Sequence, residues 1–219
     1  MSWTPRRRAF VSGLVPTLLV AVLSLTRPSV LAYLEYDVYD TLVRAVAPPL
    51  PSNQVVVVDV DEKSLAAIGQ WPWRRDVVAT LITRLRDLGA TAIGVDVIFP
   101  EPDRDAATPR SPDQMLADTL EGGRTVLGYA MRFDEGAEGS GSCVQHPLGL
   151  AVVTPPGHDT SPLFHATGAI CSLPILNKAA GRSGFLNAAP DADGILRRVP
   201  VMMEVDGQIY PSLALATVA

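Results

Sequence analysis

Apolar residues fall along this chain in several distinct rhythms, and each rhythm predicts an element. Residues 9–25 form an uncharged, strongly apolar run directly after Arg6, Arg7 and Arg8. Its length is close to the roughly 20 residues that a membrane-spanning helix needs. Leu34, Val38, Leu42 and Val46 then recur at helical spacing, which predicts a short helix over 33–46. Pro48, Pro49 and Pro51 close it, because proline cannot continue a helix. Residues 54–59 follow as a continuous β-branched run, the pattern of a strand buried on both faces of a sheet.

Over 76–88, Val77, Val78, Leu81, Ile82, Leu85 and Leu88 make one helical stripe, with Arg84, Arg86 and Asp87 off it. Gly89 is a natural helix terminator. A second buried strand is predicted over 91–99, a short helix over 113–120 and a third strand over 125–133. Strand, helix, strand, helix, strand implies right-handed crossovers and a parallel βαβαβ core.

The pattern then changes. Residues 134–142 are a polar Gly/Ser/acidic loop, and the stretch to Pro174 is proline-rich without a period, which predicts irregular structure. Residues 185–187 and 195–205 read as strands around an Asp193-Gly194 turn, and Asp206-Gly207 is a second tight turn. Pro211 is read as opening a last apolar helix. The predicted fold is therefore α/β: a mixed sheet with a parallel βαβαβ core and C-terminal antiparallel strands, preceded by one transmembrane helix. The segments are a cytoplasmic N-terminus (1–8), the transmembrane helix (9–26), a membrane-proximal helix and linker (27–53), and one domain (54–219) expected to be truncated at its C-terminal helix.

Charge and composition fix the compartment and narrow the partners. The arginine cluster before the apolar run places the N-terminus in the cytoplasm and the bulk of the chain outside it. Val30-Leu31-Ala32 offers small residues where a signal peptidase cuts; retention as an anchor and cleavage as a signal both stay open, with retention favoured. Apolar residues make up 47% of the chain and charged residues 19%, enough for a packed core. A formal net charge of −5 argues against a nucleic-acid partner. Cys143 and Cys171 are the two cysteines, too few for a disulfide-rich scaffold or a four-ligand zinc site. In an oxidising compartment they are expected to form one disulfide.

Candidate chemistry is acidic. Asp59, Asp61 and Glu62 lie at the end of the first predicted strand, Asp96 lies in the second, and Glu101, Asp103 and Asp105 lie just beyond it. Parallel sheets bind ligands outside the carboxyl ends of their strands, so Asp59, Asp61, Asp96 and Glu101 are predicted to gather there. Trp71, Trp73 and Arg74 would then form one wall of the crevice. The same four acids are the metal candidates, since converging carboxylates suit a hard divalent ion. The plainer alternative is that Asp59 and Asp61 cap loops or pair with Arg74 or Arg75, and that the tryptophans plug the loop against the sheet.

Other readings are weaker. A hydrophobic strand ending in Asp59-Val60-Asp61 has the shape of the nucleophile strand of a haloacid-dehalogenase-like phosphohydrolase, but no downstream lysine and paired acidic motif follows. Asp191-Ala192-Asp193-Gly194 is a fragment of a calcium loop without its later glutamate, and is a turn first. His146, His158 and His165 stand at no ligand spacing. No cofactor-binding, cyclase, kinase or receiver motif occurs, and no internal repeat.

Several strings resemble the CHASE2 domain, in order, over nearly the whole chain past the apolar run. They are Leu34-Glu35-Tyr36-Asp37, Val57-Val58-Asp59-Val60-Asp61-Glu62-Lys63-Ser64-Leu65, Gly69-Gln70-Trp71-Pro72-Trp73-Arg74 and Gly89-Ala90. Gly94-Val95-Asp96-Val97-Ile98-Phe99-Pro100-Glu101-Pro102, Gly184-Phe185-Leu186-Asn187, Pro190-Asp191-Ala192-Asp193-Gly194, Arg197-Arg198 and Pro211-Ser212-Leu213-Ala214-Leu215 complete the set. The resemblance implies an extracytoplasmic sensory input module of a bacterial membrane receptor, and not an enzyme. Such a module regulates a cytoplasmic adenylate or guanylate cyclase, histidine kinase or Ser/Thr kinase, which these residues do not include. It implies a cell-membrane location with the main domain periplasmic, and a small-molecule or ion ligand that the family does not specify. A homodimer is compatible with such an output.

Overall fold

The computed structural model describes residues 5–26, 29–46, 54–104, 110–134, 143, 145–149 and 163–219. The chain divides into two compact units, Met1–Asp59 and Val60–Ala219.

The first unit holds α1 (Pro5–Thr26) and α2 (Ser29–Val46). The arginine cluster and the apolar run share α1, which carries Pro16 inside it. Among the described residues no single helix is long and apolar enough to cross a membrane; Ser12–Thr26 and Ser29–Val46 meet that test together, as a pair bent by 88°. The prolines predicted to end α2 lie outside the described residues.

The valine run departs from expectation. Residues 55–60 form no strand, and Val55, Val56 and Val57 are 73%, 79% and 85% exposed. β-branching makes a segment fit a pleated surface but supplies no partner strand, and a predicted strand exists only where a neighbour takes its backbone bonds.

The second unit begins with α3 (Glu62–Ile68) and α4 (Arg75–Asp87), followed by β1 (Ile93–Val95), α5 (Pro112–Glu121) and β2 (Thr125–Arg132). β3 (Phe164–His165), β4 (Gly168–Ile170), α6 (Pro174–Ala180) and β5 (Ser183–Phe185) come next. β6 (Met202–Val205), β7 (Gln208–Pro211) and α7 (Leu213–Val218) end it. The predicted helices over 76–88 and 113–120 are α4 and α5, and the third predicted strand is β2. The second predicted strand, over 91–99, shortens to β1. Beyond Val95 the chain leaves the sheet: the Phe99 N–H donates to Ser172 Oγ and the Phe99 carbonyl accepts from Leu173 N.

β2 is the centre of the main sheet. It pairs in parallel with β1 and β5 and antiparallel with β4. The parallel strands are thus β1, β2 and β5, with α5 between the first two and α6 before the third, and the strand expected to open the βαβαβ core, over 54–59, is absent among the described residues. β3, β6 and β7 form a second sheet, with β6 and β7 antiparallel. Asp206 and Gly207, both at positive φ, make the β6–β7 turn. The strand predicted over 195–205 is confined to β6. Two short strands, β3 and β4, lie in the stretch expected to be irregular; elements of two or three residues carry no readable period. Pro211 belongs to β7, and Ser212 caps α7 through a bond from Leu215 N to its hydroxyl.

Two apolar clusters hold the unit together. One joins Val78 and Ile82 of α4 to Leu116 and Leu120 of α5, Leu127 of β2 and Leu176 of α6. The other joins Tyr129 and Met131 of β2 to Phe185, Met203, Val205 and Tyr210. α7 packs so tightly on the sheet that a Cβ on Gly184 would lie 2.6 Å from the Leu213 backbone.

Candidate functional site

The loop after β1 and the loop before α4 meet at the carboxyl end of β1, where a parallel sheet ordinarily offers a ligand site. Their junction is built around Arg75, the first residue of α4, which is buried with only 8% of its surface exposed. Its backbone N–H donates to Asp103 Oδ2 at 2.7 Å, and Asp103 N donates in turn to Asp113 Oδ2 at 3.0 Å. Its guanidinium donates to the carbonyls of Trp73 and Glu101 at 3.4 and 3.2 Å. It also stands 4.3 Å from the centre of the Phe99 ring, in cation–π contact. Nε faces Asp113 Oδ1 at 3.7 Å, an ion pair too long to be a hydrogen bond, so both atoms are buried without a hydrogen-bond partner.

Local sequence explains the arrangement. Asp103 serves as an N-terminal cap supplied from another loop, taking an orphan N–H of α4 that Arg74, the preceding residue, does not satisfy. Asp113 sits in the first turn of α5 after Pro112, where a carboxylate is favoured by the helix dipole. One guanidinium and two carboxylates thus tie the starts of α4 and α5 to the loop after β1.

The predicted crevice residues are distributed differently. Trp73 is buried and donates Nε1–H to Gly69 O at 2.8 Å. Trp71 is partly exposed and meets Trp73 edge-on, with ring centroids 5.6 Å apart, across a cis Trp71–Pro72 bond. Arg74 turns outward and pairs with Asp76 at 3.0 Å. Asp61 caps α3, accepting from Ser64 N and Ser64 Oγ at 2.9 and 2.8 Å. The Ser64 backbone bond, followed by its hydroxyl, lowers the Asp61 pKa. Asp96 and Glu101 are exposed, and Glu101 contributes its carbonyl to Arg75 rather than its carboxylate. Asp59 is exposed in the first unit.

Among the described residues, no three His, Cys, Asp or Glu side chains are placed to hold a metal ion. Asp61, the acid/base position of the phosphohydrolase reading, is engaged as a helix cap. The buried acids are Asp103, one of the carboxylates just beyond the second predicted strand, and Asp113, which sequence reasoning missed as a site residue. The Ser111-Pro112-Asp113 helix start was a usable signal for Asp113.

The Asp191–Gly194 turn is a second polar cluster. Arg197 donates to Asp191 at 3.1 Å and to both oxygens of Asp193 at 2.9 and 2.7 Å. The hydrogen bond from Arg197 holds the Asp193 carboxyl down to about 2. Both carboxylates that a calcium fragment would use are thus taken by an arginine.

His146 Nδ1 lies 3.1 Å from Ser183 Oγ, and burial pushes its pKa down. His165 stands 3.7 Å from Glu204; His158 lies outside the described residues. Burial raises the Tyr129 hydroxyl pKa, with Tyr210 adding to the effect. Cys143 and Cys171 form a disulfide, their Cα atoms 5.6 Å apart, packed against the second apolar cluster. An open groove of about 500 Å³ runs along α4 and α5, lined by Thr80, Thr83, Arg84, Arg110 and Asp118 among others.

The arrangement around Arg75 braces loops and caps helices. The family model described as the CHASE2 domain matches residues 17–219. No curated protein and no solved structure matches the chain.

Proposed function

The chain belongs to the CHASE2 family, and from that premise we propose that it is the extracytoplasmic input domain of a bacterial membrane receptor. It would be anchored through the apolar helix α1 and would regulate a cyclase, histidine kinase or Ser/Thr kinase on the cytoplasmic side. The observation that carries the reading is the family match, which runs from inside α1 to Ala219. Arg6, Arg7 and Arg8 ahead of the apolar run favour an inside N-terminus and an exported domain. The Cys143–Cys171 disulfide suits an oxidising compartment.

The ligand would bind where the loop before α4 meets the loop after β1, with Trp71, Asp96 and Glu101 at the surface of that junction. A ligand favouring one arrangement of these loops shifts the equilibrium by its differential affinity and no more. The Arg75 network would transmit the shift, because it joins both loops to the starts of α4 and α5. Homodimerisation would carry such a movement to a paired output domain.

The test is topological. A reporter active only after export, fused behind Ala219, is expected to be active, and a cytoplasm-dependent reporter at the same point is expected to be silent. The reverse pattern would sink the reading.

A further inference from the structure

The helix α2 is amphipathic. At roughly 100° per residue, Leu31, Leu34, Val38, Leu42 and Ala45 fall within an arc of roughly 80°, bounded by Thr41 and Glu35. Asp37, Asp40 and Arg44 fall outside it. None of the residues of α2 is buried among the described residues, and Leu34, Val38 and Leu42 are 56%, 59% and 58% exposed. A stripe of large aliphatic side chains left in water is unfavourable in proportion to its area.

Two further observations indicate what covers it. The helix α2 starts three residues after α1 ends, and the two are bent by 88° at that break. A helix joined at a right angle to one that runs along the bilayer normal lies in the plane of the bilayer surface. The charges fit that position in a particular way: three carboxylates and one arginine give α2 an acidic polar side, so its attachment must rest on apolar burial and not on attraction to anionic headgroups.

We propose that α2 is an interfacial helix, lying on the outer leaflet with Leu31, Leu34, Val38 and Leu42 in the acyl boundary and Asp37, Asp40 and Arg44 in water. The inference rests on the reading of α1 as a membrane anchor.

The test uses the full chain, with its disulfide intact, in phosphatidylcholine vesicles. Single spin labels are introduced through Leu34→Cys, Val38→Cys, Leu42→Cys, Asp37→Cys and Arg44→Cys. Labels at 34, 38 and 42 are expected to be severalfold more accessible to oxygen than to a water-soluble nickel chelate, with the order reversed at 37 and 44. Dilution with excess lipid is expected to leave this pattern unchanged, and phosphatidylglycerol is not expected to strengthen it. Equal nickel accessibility at all five positions would overturn the proposal. So would an oxygen preference at 34, 38 and 42 that disappears on dilution, because a second copy of the helix would then be the cover. Vesicle flotation separates the two readings: a chain that fails to float refutes the anchor itself, whereas one that floats with nickel-accessible labels refutes only the interfacial helix.

Discussion

The backbone N–H of Arg75 and the carboxylate of Asp103 meet at 2.7 Å although 28 residues separate them. That bond supplies α4 with the cap its own preceding residue lacks, and it places the Arg75 side chain over Phe99 and against Asp113. Both partners of the ion pair are largely withdrawn from water, with side chains 9% and 10% exposed.

Removing one member of that pair strands the other. Asp113→Ala is expected to destabilise the domain by about 3–5 kcal/mol, the range for an uncompensated buried charge. Asp76→Ala, which breaks the exposed pair with Arg74, should cost less than about 1 kcal/mol. Denaturant midpoints with unchanged slopes would measure both. Equal effects for the two substitutions would refute the brace.

The contact of α7 with the sheet gives a second outcome. A Cβ at position 184 would lie 2.6 Å from the Cα and N of Leu213, and these are backbone atoms that cannot rotate away. Gly184→Ala is expected to cost about 1–3 kcal/mol through overpacking. Calorimetry would show it as a lower Tm, and an unchanged Tm would mean that α7 does not pack there.

Reduction of Cys143–Cys171 releases a crosslink between positions 28 apart. The chain-entropy account gives roughly 3 kcal/mol for a loop of this order. Denaturant unfolding with and without reductant would measure the loss. Two free thiols in unreduced, denatured protein would show that the bond is not made.

Acid should act on the domain in two separate windows. His146 has its pKa lowered by burial from 6.5. The unfolded chain therefore binds the proton more readily, and stability falls as pH drops below about 6.5. His146→Gln should flatten that limb of a Tm–pH profile. Asp193, held to about 2 from an ordinary 3.8 by the Arg197 hydrogen bond, acts lower down. Its contribution is complete above about 3.8 and is lost as pH falls towards 2. Asp193→Asn should make that second decline shallower while leaving the first intact.

Local order was legible in the sequence. The stripe Val77, Val78, Leu81, Ile82 and Leu85 determines α4, because neighbours three and four apart share one face whatever lies opposite. The Asp206-Gly207 pair determines the β6–β7 turn, because both residues tolerate positive φ. The family strings, too, were readable without coordinates. Only tertiary structure decided which elements find partners. The valine run at 55–58 has every property of a buried strand and forms none, since the ladder bonds of a strand come from another segment. The two arginines of Trp73-Arg74-Arg75 look alike in sequence, yet one pairs at the surface and the other is buried between two carboxylates. That difference comes from the turn into α4 and from Asp103 and Asp113, which are brought to it from elsewhere in the chain.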